Sequence, residues 1–260
     1  MTDPKEMLKA AHEEGELSDA AMQALSIPDL GAQIQAGLGV HPDDVPASEV
    51  VLVTMMPDDS GSIRFGSNAQ AVRDGHNLVL DALAASKSRE GVLVHTRYLN
   101  GRVLYPYCGL SGALRMDPHN YDPSLGTPLY DQSVVLLGTV LAKAREFAEA
   151  GVPARTVTLL ITDGADESSQ RSRACDVAAL VKDMLKAERH IVAALGVDDG
   201  GTDFRRVFQE MGIEDRWILT PGNGAGDIRR AFALFSQSAA RASRGGGNFS
   251  KVSLGGFTAP

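Results

Sequence analysis

Three stretches of strand length, residues 50–56 (VVLVTMM), 156–162 (TVTLLIT) and 190–197 (HIVAALGV), are apolar almost throughout. A strand that wets one face alternates polar and apolar residues, so unbroken runs mark strands covered on both faces. Segments of helical periodicity follow them. Val72, His76, Val79 and Leu83 share one helix face, residues 129–150 and 174–188 repeat the pattern, and Phe204, Val207, Phe208 and Met211 form a later stripe, as do Ile228, Phe232 and Phe235. This alternation predicts an α/β fold with a doubly wound, mainly parallel sheet, completed by a short strand at 216–219. Residues 91–98 and 103–107 flank Asn100 and Gly101, a pair suited to the positive φ angles of a two-residue hairpin turn, which adds one antiparallel edge strand.

The chain of 260 residues is 43% hydrophobic and 22% charged, enough to bury a sizeable core. No apolar run approaches the ~18 to 20 residues of a membrane span, and the polar, acidic start does not read as an export signal. Cys108 and Cys175 make neither a disulfide framework nor a zinc spacing, so a reducing, cytoplasmic setting is expected. Charge is unevenly placed: residues 1–49 hold Lys5 and Lys9 against ten acids, which accounts for the whole net charge of −8. The remainder is neutral and offers no basic face, so nucleic acid is not an expected partner.

These shifts divide the chain into an acidic helical arm (1–48), an α/β domain (49–240) and a Gly/Ser-rich tail (241–260) expected to be mobile, with a docking peptide in it as the alternative. In the arm, Asp3 and Ser18 are placed to cap helices, with Pro4 at the first helical position. Ile27, Leu30, Ile34 and Leu38 recur at helical spacing, a stripe that either packs on the chain's own core or meets a partner helix. The stretch HPDDVP at 41–46 reads as an extended linker.

In open α/β sheets, ligands gather beyond the carboxyl ends of the strands. Three such places carry oxygen donors: Asp58, Ser60 and Ser62 at alternate positions after the first strand, Thr127 ahead of a helix, and Asp163 directly after the second apolar run. Two carboxylates and three hydroxyls without His or Cys form a hard-oxygen set suited to Mg²⁺, or Mn²⁺, rather than zinc. The competing reading is a polar turn with helix-capping side chains. Asp59 is out of register with the donors and reads as either a surface acid or one that supports the site from behind, and Asp131, one turn beyond Thr127, either supports the site by hydrogen bonding or is solvated. Residues 222–227 (GNGAGD) put Asp227 where a phosphate loop needs glycine, and 163–167 (DGADE) lacks the alternate acids of an EF-hand loop. The aperiodic stretch 109–126 is long enough to be functional, and Asp117, His119, Asn120 and Tyr121 on it either shape a partner surface or form an ordinary excursion.

The Asp58-x-Ser60-x-Ser62 signature, with Thr127 and the TDG of Asp163 in the expected order, resembles the metal-ion-dependent adhesion site (MIDAS) of von Willebrand factor A domains. The resemblance covers roughly residues 49–240. It implies a Rossmann-like fold and a Mg²⁺ held by Asp58, Ser60, Ser62, Thr127 and Asp163, at which an acidic side chain of a protein partner fills an open position. Similarity to intracellular bacterial members implies a partner such as an AAA+ ATPase or a stress-response protein. Pro57 and the pair Met55 and Met56 depart from the usual strand ending. The expectation is a protein-binding module and not an enzyme. The alternatives are a scaffold in which the metal only stabilises the fold, or a metal-dependent hydrolase, for which no Ser-His-Asp order or general-base histidine is apparent.

Overall fold

The computed structural model describes residues 3–64, 67–86, 89–242 and 256–257. Six strands, β1 (Val50–Pro57), β2 (Val92–Arg97), β3 (Val103–Gly109), β4 (Ala154–Thr162), β5 (His190–Gly196) and β6 (Ile218–Leu219), form one sheet in the order β3-β2-β1-β4-β5-β6. All neighbours are parallel except β2 and β3. Every residue of β1, β2 and β5 is buried, as the unbroken apolar runs require.

Residue alternation along β2 shows the two covered faces. Leu93 clusters with Ala144 and Phe147 of α5 (Leu129–Glu149), whereas Thr96 bonds His76 of α4 (Asn68–Ala84) at 3.1 Å. On the α4 side the helix packs against α8 (Ala225–Ala242) at Gly75, where a Cβ would stand 2.1 Å from the Phe232 ring. Only glycine permits that approach. α6 (Ala174–Lys186) lies beside α5, and α7 (Phe204–Glu210) packs against α6, β5 and β6.

The arm folds onto the α5 and α6 side. Its helices α1 (Pro4–Glu13), α2 (Asp19–Ala24) and α3 (Leu30–Leu38) begin near the expected caps: Asp3 accepts the Lys5 N–H at 3.0 Å and Ser18 the Ala21 N–H at 3.3 Å. Leu30, Ile34 and Leu38 are buried in the main core, and α3 packs on α5 while α2 packs on α6. Polar clamps secure the seam. Glu14 pairs with Arg145, Glu16 with Arg189 at 2.9 Å, and Asp183, 3% exposed, accepts the Ser18 N–H at 2.7 Å. Buried Lys143 donates to the Val40 carbonyl, and the Val40 N–H reaches Tyr107 O at 2.9 Å, which covers the β3 edge.

Four local expectations change. The stretch 41–46 is not an extended linker, because Pro42–Asp44 form a 3-10 turn with Pro42 buried. The hairpin has a wider loop than two residues: Tyr98 N–H bonds Arg102 O, enclosing Leu99, Asn100 and Gly101, with Gly101 at φ +92°. The reason is tertiary, because the Asn100 N–H is taken by Asp59. The strand expected at 216–219 shrinks to two residues, since 215–217 form a 3-10 turn that buries Trp217. The tail assigned from 241 begins inside α8, which runs to Ala242, and Phe257 packs edge-on against Trp217 at 5.3 Å between ring centres. The rest of the segment expected to be mobile lies outside the described residues. Among the described residues, no helix is long and apolar enough to cross a membrane.

Candidate metal centre

The chain runs from β1 to β2 on one side of the sheet, and β4 lies on the other side of β1, so the strand order reverses between β1 and β4. A crevice opens where connections diverge in this way. Pro57 is in register with Ile161, so Asp58 lies beside Thr162 and, one residue further, Asp163 at that crevice.

The expected donors converge there. Ser60 Oγ and Ser62 Oγ stand 2.9 Å apart, and Asp163 Oδ1 accepts from Ser62 Oγ at 2.7 Å and from Ser60 Oγ at 3.5 Å. Asp58 turns back into the protein, with Oδ1 accepting the Ser60 N–H at 2.7 Å and Oδ2 accepting the Thr162 hydroxyl at 2.6 Å and the Asp163 N–H at 3.4 Å. Thr127 arrives from the start of α5. Its hydroxyl lies 3.9 Å from where a Cβ on Gly164 would stand, beside the turn that carries Asp163, and it makes no hydrogen bond to any described residue.

Asp58, Ser60, Thr127 and Asp163 are all buried. Desolvation lifts the Asp58 carboxyl above its ordinary range, against the bonds from Thr162 and Ser60. Burial and then the charge of Asp58 push Asp163 up to about 6. No Lys or Arg among the described residues pairs with either carboxylate. Two desolvated acids beside three hydroxyl oxygens, with no cationic side chain, are matched by a small hard cation. Among the described residues there is no group of three or more His, Cys, Asp and Glu side chains able to hold a metal.

A surrounding layer holds these groups in place. Of the two readings of Asp59, the supporting one fits: it is 4% exposed, Oδ1 accepts the Asn100 N–H at 3.0 Å and its carbonyl accepts from Ser124 and Leu125 at 2.9 and 3.2 Å. Burial raises its carboxyl to about 6. Tyr121, weighed above as partner surface, is instead buried beneath the loop and donates its hydroxyl to the Asp58 carbonyl. With Ile63, Val72, Tyr98 and Met116 it forms a small core behind Ser60 and Ser62. Leu125, 52% exposed, stands at the rim and pairs with Ser60.

The start of α5 is clamped from both directions. Its Tyr130 N–H reaches Asp166 Oδ1 at 3.2 Å and Ser169 Oγ at 3.1 Å, while Asp131 gathers the N–H groups of Gln170, Arg171 and Ser172 at 2.9, 3.2 and 2.7 Å. Asp131 is therefore a supporting residue that fixes the loop beside Thr127. Asp166, Ser169 and Thr162 carry no local signal in the sequence. Thr162, the last residue of β4, reaches Asp58 because the register of β1 and β4 sets the two side by side.

No protein-family model and no curated protein matches the sequence. Solved structures do resemble it. The pilus adhesin SpaC of Lactobacillus rhamnosus GG matches 75% of this chain and 30% of its own, with TM-score 0.55 and 14% identity. Proximal thread matrix protein 1 of the mussel byssus matches over 74% and 48%, with TM-score 0.51 and 16% identity. The VWA domain of SpRpn10 matches over 71% and 94%, with TM-score 0.50 and 9% identity. The chain thus spans less than half of the first two proteins. At these identities the likeness concerns the fold, and the chain has the fold of a von Willebrand factor A domain.

Proposed function

We propose that this von Willebrand factor A domain is a divalent-cation-dependent protein-binding module. Asp58, Ser60, Ser62, Thr127 and Asp163 hold Mg²⁺, for which Mn²⁺ can substitute, and a carboxylate of the partner completes the site. One observation carries the reading: two buried carboxylates and three hydroxyl oxygens meet at the crevice with no cationic side chain to neutralise them. The two acids balance the charge of one divalent ion, and the neutral hydroxyls add oxygen without further charge. A bound ion supplies the positive charge that a partner's Asp or Glu needs. The protein's own part is to orient the oxygens, through Thr162 on Asp58, Ser62 on Asp163 and the Asp131 clamp behind Thr127. Leu125 at the rim gives the partner an apolar contact beside its acid.

The same geometry favours binding over catalysis, because each carboxylate is engaged as an acceptor and none is poised as a base. We place the protein in the cytoplasm, in keeping with two free cysteines, and its partner among proteins such as AAA+ ATPases or stress-response factors. The experiment is calorimetric titration of Mg²⁺ and Mn²⁺ into the chain and into Asp58→Ala, followed by partner pull-down with and without chelator. Saturable binding lost in the variant supports the site. Partner capture indifferent to chelator would turn the proposal toward a scaffold whose metal serves only the fold.

A further inference from the structure

The arm carries a second surface, remote in its chemistry from the crevice. Two adjoining concavities of about 450 Å³ each share the ridge formed by Ser26, Ile27 and Pro28. The first, between the arm helices, is walled by Met22, Leu25, Ile27 and Leu30 and rimmed by Lys5 and Lys9. The second lies between that ridge and the start of α6, with Arg171 and Arg173 on its wall. Asp176 also faces it, but its carboxylate is held by the Arg173 N–H at 2.8 Å.

Charge makes this placement informative. Lys5 and Lys9 are the only cations in residues 1–49, and both border the same apolar hollow. Of the four cations, Lys9 alone has an ion-pair partner among the described residues, Glu13 at 3.6 Å on the open surface. Glu14 and Glu16 of the arm are clamped to Arg145 and Arg189, whereas Lys5, Arg171 and Arg173 have no ion-pair partner among the described residues.

We infer that the two concavities form one docking surface for an acidic peptide segment bearing bulky apolar side chains. An apolar side chain enters the hollow between the arm helices, while its acidic neighbours meet Lys5 and Lys9 on one side of the ridge and Arg171 and Arg173 on the other. The surrounding acids of the arm repel such a segment from any other approach. This surface is independent of the metal centre.

A labelled peptide of alternating glutamate and leucine, titrated by fluorescence anisotropy into the full chain at low salt with chelator present, tests it. Saturable binding is expected, at least about tenfold weaker in the chain with Lys5, Lys9, Arg171 and Arg173 all changed to Glu, and unchanged in Asp58→Ala. A peptide with serine in place of leucine should bind less tightly. Equal binding by the four-fold variant overturns the proposal, as does loss of binding in Asp58→Ala. Equal binding of a short oligonucleotide overturns it too, by reducing the surface to a charge patch. If circular dichroism shows the four-fold variant unfolded, amide shifts of the wild-type chain with peptide decide. Shifts at Ser26, Ile27 and Ser172 support the surface, and shifts confined to the loops of Asp58 and Asp163, or none, overturn it.

Discussion

The seam between arm and domain and the crevice at the end of β1 and β4 both gather acids, exposed Glu14 and Glu16 with buried Asp183 at the one and buried Asp58 and Asp163 at the other, yet they treat them in opposite ways. At the seam, Glu14 and Glu16 meet Arg145 and Arg189, and Asp183 takes the Ser18 N–H and the Lys186 ammonium at 3.2 Å. At the crevice, Asp58 and Asp163 find hydroxyls and backbone amides but no side-chain cation. The first region completes its electrostatics within the chain and so serves the fold. The second leaves a negative charge for something outside the chain, and an unmatched buried charge is costly enough to mark a site.

Acid should separate the two regions most sharply. His95 and His190 lie under the arm, near Gly37 and Leu8, and burial holds their rings down to about 3. Unfolded histidine takes up its proton near pH ~6.5, so their stabilising contribution is complete above that value. It is lost as pH falls from there toward 3, by on the order of a few kcal/mol for each ring. Asp163, raised to about 6, acts with the opposite sign: without metal, the fold binds its proton before the unfolded chain does, and acid partly relieves it. The urea midpoint should fall below pH 6.5, and more steeply with Mg²⁺ than without, because the ion removes that relief. Equal slopes would mean that Asp163 does not face the ion.

Next in size is Ile34→Ala. The side chain is fully buried against the domain, so its removal should cost about 2–5 kcal/mol in urea unfolding while leaving Mn²⁺ affinity unchanged. A loss well below that range would show an arm that detaches readily. The mirror change, Asp58→Ala, should weaken Mn²⁺ binding by about a hundredfold or more, close to 3 kcal/mol, and abolish the rise in melting temperature that the metal gives the wild type. An unaltered rise would place the ion elsewhere.

The smallest effect is expected at Thr127. Its hydroxyl has no hydrogen-bond partner among the described residues, so Thr127→Val should change stability by no more than about 1 kcal/mol, yet reduce metal affinity about tenfold. A large loss of stability with unchanged affinity would make Thr127 a structural residue and return it to the seam's side of the comparison.

Much of this was already written in local sequence. Apolar runs of strand length can be satisfied only by burial on both faces, which is why 50–56, 156–162 and 190–197 became adjacent inner strands. Asp58, Ser60 and Ser62 follow the end of β1, and Thr127 and Asp163 stand before a helix and after a strand, so their meeting at the crevice was legible from their places in the chain. The caps of α1 and α2 follow from contacts two or three residues long. What only the tertiary structure decided are pairings across the chain: Tyr121 beneath Asp58, the Asn100 N–H on Asp59 that widens the hairpin, and the exchange between Asp131 and the Asp166 loop. The burial of the arm's stripe, rather than its display, was settled in the same way, by α5 far along the chain, with Arg145, Asp183 and Arg189 holding the seam. Periodicity reports which face of an element is apolar, because that depends on neighbours one turn or one pleat away. It says nothing of which distant donor meets a given acid, because that depends on how the elements are stacked.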